Sequence, residues 1–236
     1  MKPEFIIETK RDLIAAVEVY GILPLFRNRI PGFSVEEHAA PSAWFGSDEG
    51  VWEWKGPVIR ETGCAYGKFF ENKAAFVSSA WFADLANLRR DGYDFDARYD
   101  DGLASAGDLF LYNLVAENAP ILTGQLKELG NYKKSADGGK TGFETRITRL
   151  ERQCYVIIRD FVYLRDKKGN PYGWGVAEYS TPEREFGAAF TDRVYAREPE
   201  ESAKRLLAHL ASILPEAGER EIRRFLMGKE SGHVQG

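Results

Sequence analysis

Residue types able to do chemistry gather first around two tryptophans. Trp52-Glu53-Trp54-Lys55 sets two aromatic rings beside a carboxylate and an ammonium, and Tyr66-Gly67-Lys68 adds another ring and cation. Aromatic platforms hold bases that have left a duplex, and a neighbouring carboxylate can activate water. Read as a strand, 51–58 puts Trp52 and Trp54 on one face and Glu53 and Lys55 on the other. The expected pocket is therefore Trp52, Trp54, Lys55, Lys68 and His38, with Glu53, Glu37 and Asp84 as the carboxylates that could act in it. The plainer reading makes the tryptophans core and the charges rim.

Other patterns offer less. His38 follows Glu36-Glu37 and has the type of an acid–base group, whereas His209 sits among leucines as packing and His233 lies near the end of the chain. Gly138-Gly139-Lys140-Thr141 imitates the end of a phosphate-binding loop, but the pattern needs a glycine at 134, where Lys134 stands. Asp94, Asp96, Asp100 and Asp101 lack the glycine and closing glutamate of an EF-hand. The two cysteines, Cys64 and Cys154, make neither a disulfide framework nor a zinc set and read as reduced thiols. No metal and no cofactor are expected.

A second chemistry is electrostatic. The chain carries a net charge of −4, yet residues 126–173 hold eleven Lys/Arg against six Asp/Glu. A basic stretch in an acidic protein is a contact surface for a polyanion or simply a solvated face. Phe143, Ile147, Leu150 and Cys154 form one apolar stripe at helical spacing. Relative to Phe143, Arg146, Arg149 and Gln153 fall near ~300°, ~240° and ~280°, and Glu144 and Glu151 near ~100° and ~80°. Arginine and glutamine read base edges or clamp phosphates. The expected DNA contacts are Arg146, Arg149, Arg152 and Gln153, flanked by Lys133, Lys134, Lys140, Lys167 and Lys168.

The elements that must position these residues follow from periodicity. Helices are expected over 10–21, 79–90, 105–118, TGQLKELG capped by Thr123, and from Phe143 to about Tyr155. Strands are expected over 51–58, in patches of 64–78, and in VIIRDFVYLRD and YGWGVAEYS. Residues 22–50 read as loop and 91–102 as an acidic linker. Three helices followed by a hairpin is the order of a winged helix. The fold class is α+β: a winged-helix domain (103–182) packed with a mixed α/β N-terminal region (1–102) and C-terminal helices (183–236).

With 236 residues, 44% hydrophobic and 13% aromatic, the chain can bury a sizeable core and is not a disordered one. No apolar run reaches the length of a membrane span, and the first residues have no signal-peptide pattern, so a cytoplasmic location is expected. The composition leaves the oligomeric state open.

The segments GILPLFRNRIPGFSVEEH (21–38), WEWKGPVIRETGCAYGKFF (52–70), RRDGYDFDARYDDG (89–102) and the run 105–180 resemble the AlkZ/YcaQ-like winged-helix proteins, above all those called AlkZ-related. The resemblance spreads over most of the chain. It implies winged-helix units around a DNA-sized concavity, as in the bacterial glycosylases of that family, which excise interstrand crosslinks and alkylated bases without a metal. Those enzymes carry Gln-x-Gln or Gln-x-Asp on an N-terminal winged helix. The nearest place here is Leu23-Pro24-Leu25, which can neither position water nor stabilise an oxocarbenium ion. Arg152-Gln153 stands in a different context and does not replace it. The resemblance thus implies a DNA-binding, non-catalytic relative. Two alternatives stand beside it: a glycosylase using another carboxylate, and a winged-helix module that binds a protein partner.

Overall fold

A computed structural model describes residues 6–46, 49–132, 138–169 and 171–228, the side chains of 171 and 172 excepted. Lys133, Lys134 and His233 lie outside them. The architecture is mixed α+β around one six-stranded antiparallel sheet.

Two stretches of chain repeat one order of elements. The first runs α1 (Lys10–Tyr20), β1 (Ile22–Pro24), short helices α2 (Val35–His38) and α3 (Pro41–Phe45), α4 (Val51–Thr62), β2 (Ala65–Phe70) and β3 (Lys73–Val77). After α5 (Ser79–Arg90) and α6 (Phe95–Asp100) comes the second: α7 (Ala106–Asn118), β4 (Ile121–Leu122), α8 (Thr123–Leu129), α9 (Phe143–Arg152), β5 (Ile157–Arg165) and β6 (Pro171–Ser180). The strand order β1-β3-β2-β5-β6-β4 makes one half-sheet the reverse of the other. They join through the pair Tyr66↔Ile158. The helices cross over this seam. α4 packs on β5, where an added Cβ on Gly56 would stand 2.7 Å from Asp160, and α9 packs on β2, where Lys68 N–H donates to Glu151.

The 51–58 segment is a correction: it is helix, not strand. Glu53 accepts the Gly50 N–H (2.9 Å) and closes the first turn, and the helix runs through Pro57 to Gly63, which ends it at φ 63°. Alternation of the tryptophans hid the true stripe, because Val51, Trp54 and Val58 are buried at i, i+3 and i+7. Trp52 and Trp54 consequently point to different sides. Two smaller differences follow local hydrogen bonds. Asp94 accepts from Ala97 N–H and opens α6 inside the expected linker. Thr123 is the first residue of α8 instead of its cap, and its hydroxyl donates to the Ala177 carbonyl on β6.

The C-terminal helices α10 (Pro182–Phe186), α11 (Ala188–Val194), α12 (Pro199–Ile213) and α13 (Glu219–Met227) pack on the first half and α5. Arg90, 1% exposed, fastens this region: it donates to Glu183, Tyr195 and the Cys154 carbonyl. Burial of such a charge is tolerable because every one of these partners is an acceptor. Cys64 and Cys154 are buried free thiols, pushed up by burial to about 11 and about 12. No described helix is long and apolar enough to cross a membrane.

Candidate nucleic-acid interface

α9 places the basic side chains. Phe143, Ile147 and Leu150 turn inward, and both flanks of the helix are also occupied. On one flank Glu151 is fully buried against β2. On the other, Arg146 and Arg149 both reach Asp108 near the start of α7, at 3.5 Å and 2.6 Å. Burial raises the Asp108 carboxyl, but hydrogen bonds from Ser105 and Arg149, with the Arg149 charge, outweigh it and hold the group below its ordinary range. Gly107 permits the approach, since the Arg146 guanidinium lies within 2.2 Å of where a Cβ would stand.

The residues left facing outward differ from the expected set. Thr145, Thr148, Arg149 and Arg152 lie between ~140° and ~240° from Phe143. Arg152 donates to Asn72 of the β2–β3 turn at 3.4 Å, and Lys68 donates to the Thr148 hydroxyl at 3.2 Å. Gln153 is the residue that closes the helix and is only partly exposed. Lys140 folds over the Phe110 ring, 3.4 Å from its centroid. Lys167 and Lys168 stand exposed in the β5–β6 turn, where the Asp166 carboxylate accepts the Lys168 N–H at 2.8 Å.

The residues expected to form one aromatic pocket are dispersed. Trp52 packs with Phe26, Trp44 and the exposed Trp174 of β6. Lys55 lies over Trp52 and Phe161, and burial lowers its ammonium to about 8 against the pull of Glu53. Trp54 and Glu53 line a separate cavity of about 370 Å³ with Phe161, Tyr163, Lys10 and Arg60. Lys68 belongs to the α9 side, and His38 faces the Gly32 carbonyl at 3.0 Å beside Tyr20.

The carboxylates separate in the same way. Asp84 is buried on α5, where Arg197, Arg205 and Ser202 hold it, so it is a fastening between α5 and α12. Glu37 accepts from Gly32 N–H and Ser34 and ties a loop. Glu53 lines a cavity with aromatic walls. Among the described residues no group of three or more His, Cys, Asp or Glu is arranged to hold a metal.

Sequence reasoning passed over Glu151. Its only signal was a position beside the apolar stripe of α9, which reads as a flank charge until β2 is known to cover it. Burial pushes its carboxyl up to about 7, although the Lys68 ammonium and the Lys68 N–H pull it down; Glu144 adds a small upward push. Its second oxygen has no hydrogen-bond partner.

The class these features define is a mixed α+β protein in which two similar helix–strand units share one antiparallel sheet and turn arginines outward beside it. The chain belongs to the AlkZ-related family, whose model matches residues 7–227. Among solved structures it is similar to the Streptomyces sahachiroi DNA glycosylase AlkZ, at 10% identity and a TM-score of 0.47. That alignment covers 94% of this chain and 60% of AlkZ, so the chain spans under two thirds of that protein. No curated protein matches.

Proposed function

We propose that this chain is a DNA-binding, DNA-repair-type protein that reads or grips duplex DNA with a winged helix formed by α7, β4, α8, α9, β5 and β6. The observation that carries the reading is the outward stripe of α9. Thr145, Thr148, Arg149 and Arg152 are two hydroxyls and two guanidiniums with no carboxylate among them, and Glu144 at its edge is paired with Lys127. Hydroxyls and guanidiniums are phosphate and base-edge donors. Lys167 and Lys168 in the hairpin turn add charge where a wing would meet the backbone. Asp108 cancels part of the Arg146–Arg149 charge, so Arg152 is the leading contact; Arg149, the more exposed of that pair, comes next, and Arg146 and Gln153 are the lesser ones.

The reading is of a non-catalytic relative. Leu23 and Leu25, which stand where the resemblance sets the paired glutamine motif, are buried in the core at 0% and 1% exposure. They offer no group that could hold a water molecule at a sugar carbon. A second reading keeps a glycosylase that acts through Glu53, favoured by its cavity with Trp54 and Tyr163.

Fluorescence anisotropy with a labelled duplex, intact or carrying an alkylated base, tests both. Arg152→Ala and Arg149→Ala are each expected to weaken binding and to reduce the salt slope by about one. Unchanged binding in both variants would refute the α9 placement, and no duplex binding at low salt would favour a protein partner. Release of free base, lost in Glu53→Gln, would establish the second reading.

A further inference from the structure

A cavity of about 430 Å³ opens between the β2–β3 turn and the C-terminal ends of α5, α9 and α13. Three guanidiniums line it, those of Arg29, Arg89 and Arg152, against one carboxylate, Glu71. Glu71 is already paired with Arg29. Arg89 and Arg152 have only neutral acceptors: Arg89 donates to the Phe69 carbonyl at 3.2 Å and Arg152 to the Asn72 side chain at 3.4 Å. Neither is within ion-pair distance of a carboxylate among the described residues. The Arg89 Nε is also buried without a hydrogen-bond partner.

Arginines in the last turn of a helix complement its negative end. Arg89 does not spend its hydrogen bond on α5, however; it reaches across to β2. The result is two positive groups lining one cavity and near enough for the charge of one to act on the other. Burial disfavours the Arg89 charge, and the neighbouring Arg152 disfavours it further against the opposing Cys154. A pair of guanidiniums in a concave, partly desolvated site is matched by a small polyvalent oxyanion, which fork-shaped donors grip at two edges.

We propose that this cavity binds a phosphate group, seated between Arg89 and Arg152. The phosphate comes either from a DNA strand or from a free phosphate compound. Only the first source rests on the α9 reading above.

The test uses the full chain and the Nε–Hε signals of arginine in ¹H–¹⁵N NMR spectra, with Arg89 assigned by Arg89→Lys. Inorganic phosphate is titrated against sodium chloride at equal ionic strength, and a short duplex is added in a second series. A saturable shift of the Arg89 signal with phosphate and none with chloride is expected. Arg152→Gln, and Asn72→Asp, which puts a carboxylate in front of Arg152, should each weaken it at least tenfold. Both changes lie at the surface, which keeps the test independent of a folding defect at Arg89.

The same shift with duplex assigns the phosphate to DNA, and a shift with phosphate alone assigns it to a free compound. No saturable shift with either, or an unchanged shift in both variants, overturns the proposal. Anisotropy with Arg149→Ala reports separately on the α9 reading, so duplex binding that needs Arg149 but is untouched by Asn72→Asp keeps that reading and removes DNA as the source of the phosphate.

Discussion

Replacing Glu151 by glutamine should stabilise the protein at alkaline pH and leave it unchanged under mild acid. The carboxyl is raised from 4.5 to about 7, with burial the largest cause and the Lys68 charge and N–H opposing it. Tyr66 on β2 and Tyr179 on β6 also face it, and both phenols are pushed up by burial and by its charge. In this pH window the folded protein keeps a proton that the unfolded chain gives up. Stability is therefore lost as pH rises from 4.5 to about 7 and is level above that.

The span corresponds to about 3 kcal/mol at ~1.4 kcal/mol per pKa unit. Glutamine keeps the acceptor for the Lys68 N–H but leaves an amide donor where the second oxygen already lacks a partner, at a cost of about 1 kcal/mol. The net gain is about 2 kcal/mol at pH 8 and about zero at pH 5. For a chain of this size that is a Tm increase of roughly 4–8 °C at pH 8. Urea and thermal unfolding, followed by tryptophan fluorescence at pH 5, 6, 7 and 8, measure it. Parallel pH profiles for the two proteins would refute the reasoning, since they would mean that Glu151 ionises without penalty.

Three further outcomes are expected. Gly21→Ala should destabilise the protein by more than about 1 kcal/mol, because φ is +66° and the new Cβ would stand 2.5 Å from the Trp81 ring that stacks on His209; an unchanged melting temperature would contradict this. Asp108→Asn should lower stability by about 1–2 kcal/mol while tightening duplex binding at low salt, as Arg146 and Arg149 lose their shared counter-charge; weaker binding in anisotropy would count against the α9 interface. Lys55 should titrate near pH 8 in competitive acylation read by mass spectrometry, and a midpoint above 10 would show that its burial beside Trp52 and Phe161 is not sustained in solution.

Much of the second half could be read from the sequence, because its stripes are long and its breakers well placed. Phe143, Ile147 and Leu150 gave α9 its inner face, and the two hairpin strands flank an obvious turn. The 51–58 segment misled because two tryptophans two residues apart mimic a strand, while the helical triplet Val51, Trp54 and Val58 needs the capping Glu53 to be recognised. The basic character of the α9 surface was legible in composition but its pairing was not. Asp108 lies some forty residues before Arg149, and no local pattern announces that one carboxylate takes two arginines. Glu151 and Arg89 were invisible for the same reason: each acquires its character from an element distant in sequence, β2 in both cases.

The crossing of α4 and α9 over the sheet seam also bears on how the chain is made. β2 leaves the ribosome about 80 residues ahead of the helix that covers it, and α4 about 100 residues ahead of the strand on which it rests. At ~5–20 residues per second, that is a wait of some 4–20 seconds. During that interval the nascent N-terminal half displays the aromatic strand Tyr66–Phe70 with its outer neighbour still unmade. Completion of the second half supplies both the strand that pairs with β2 and the helix that packs on it, so the two halves mature together rather than one after the other.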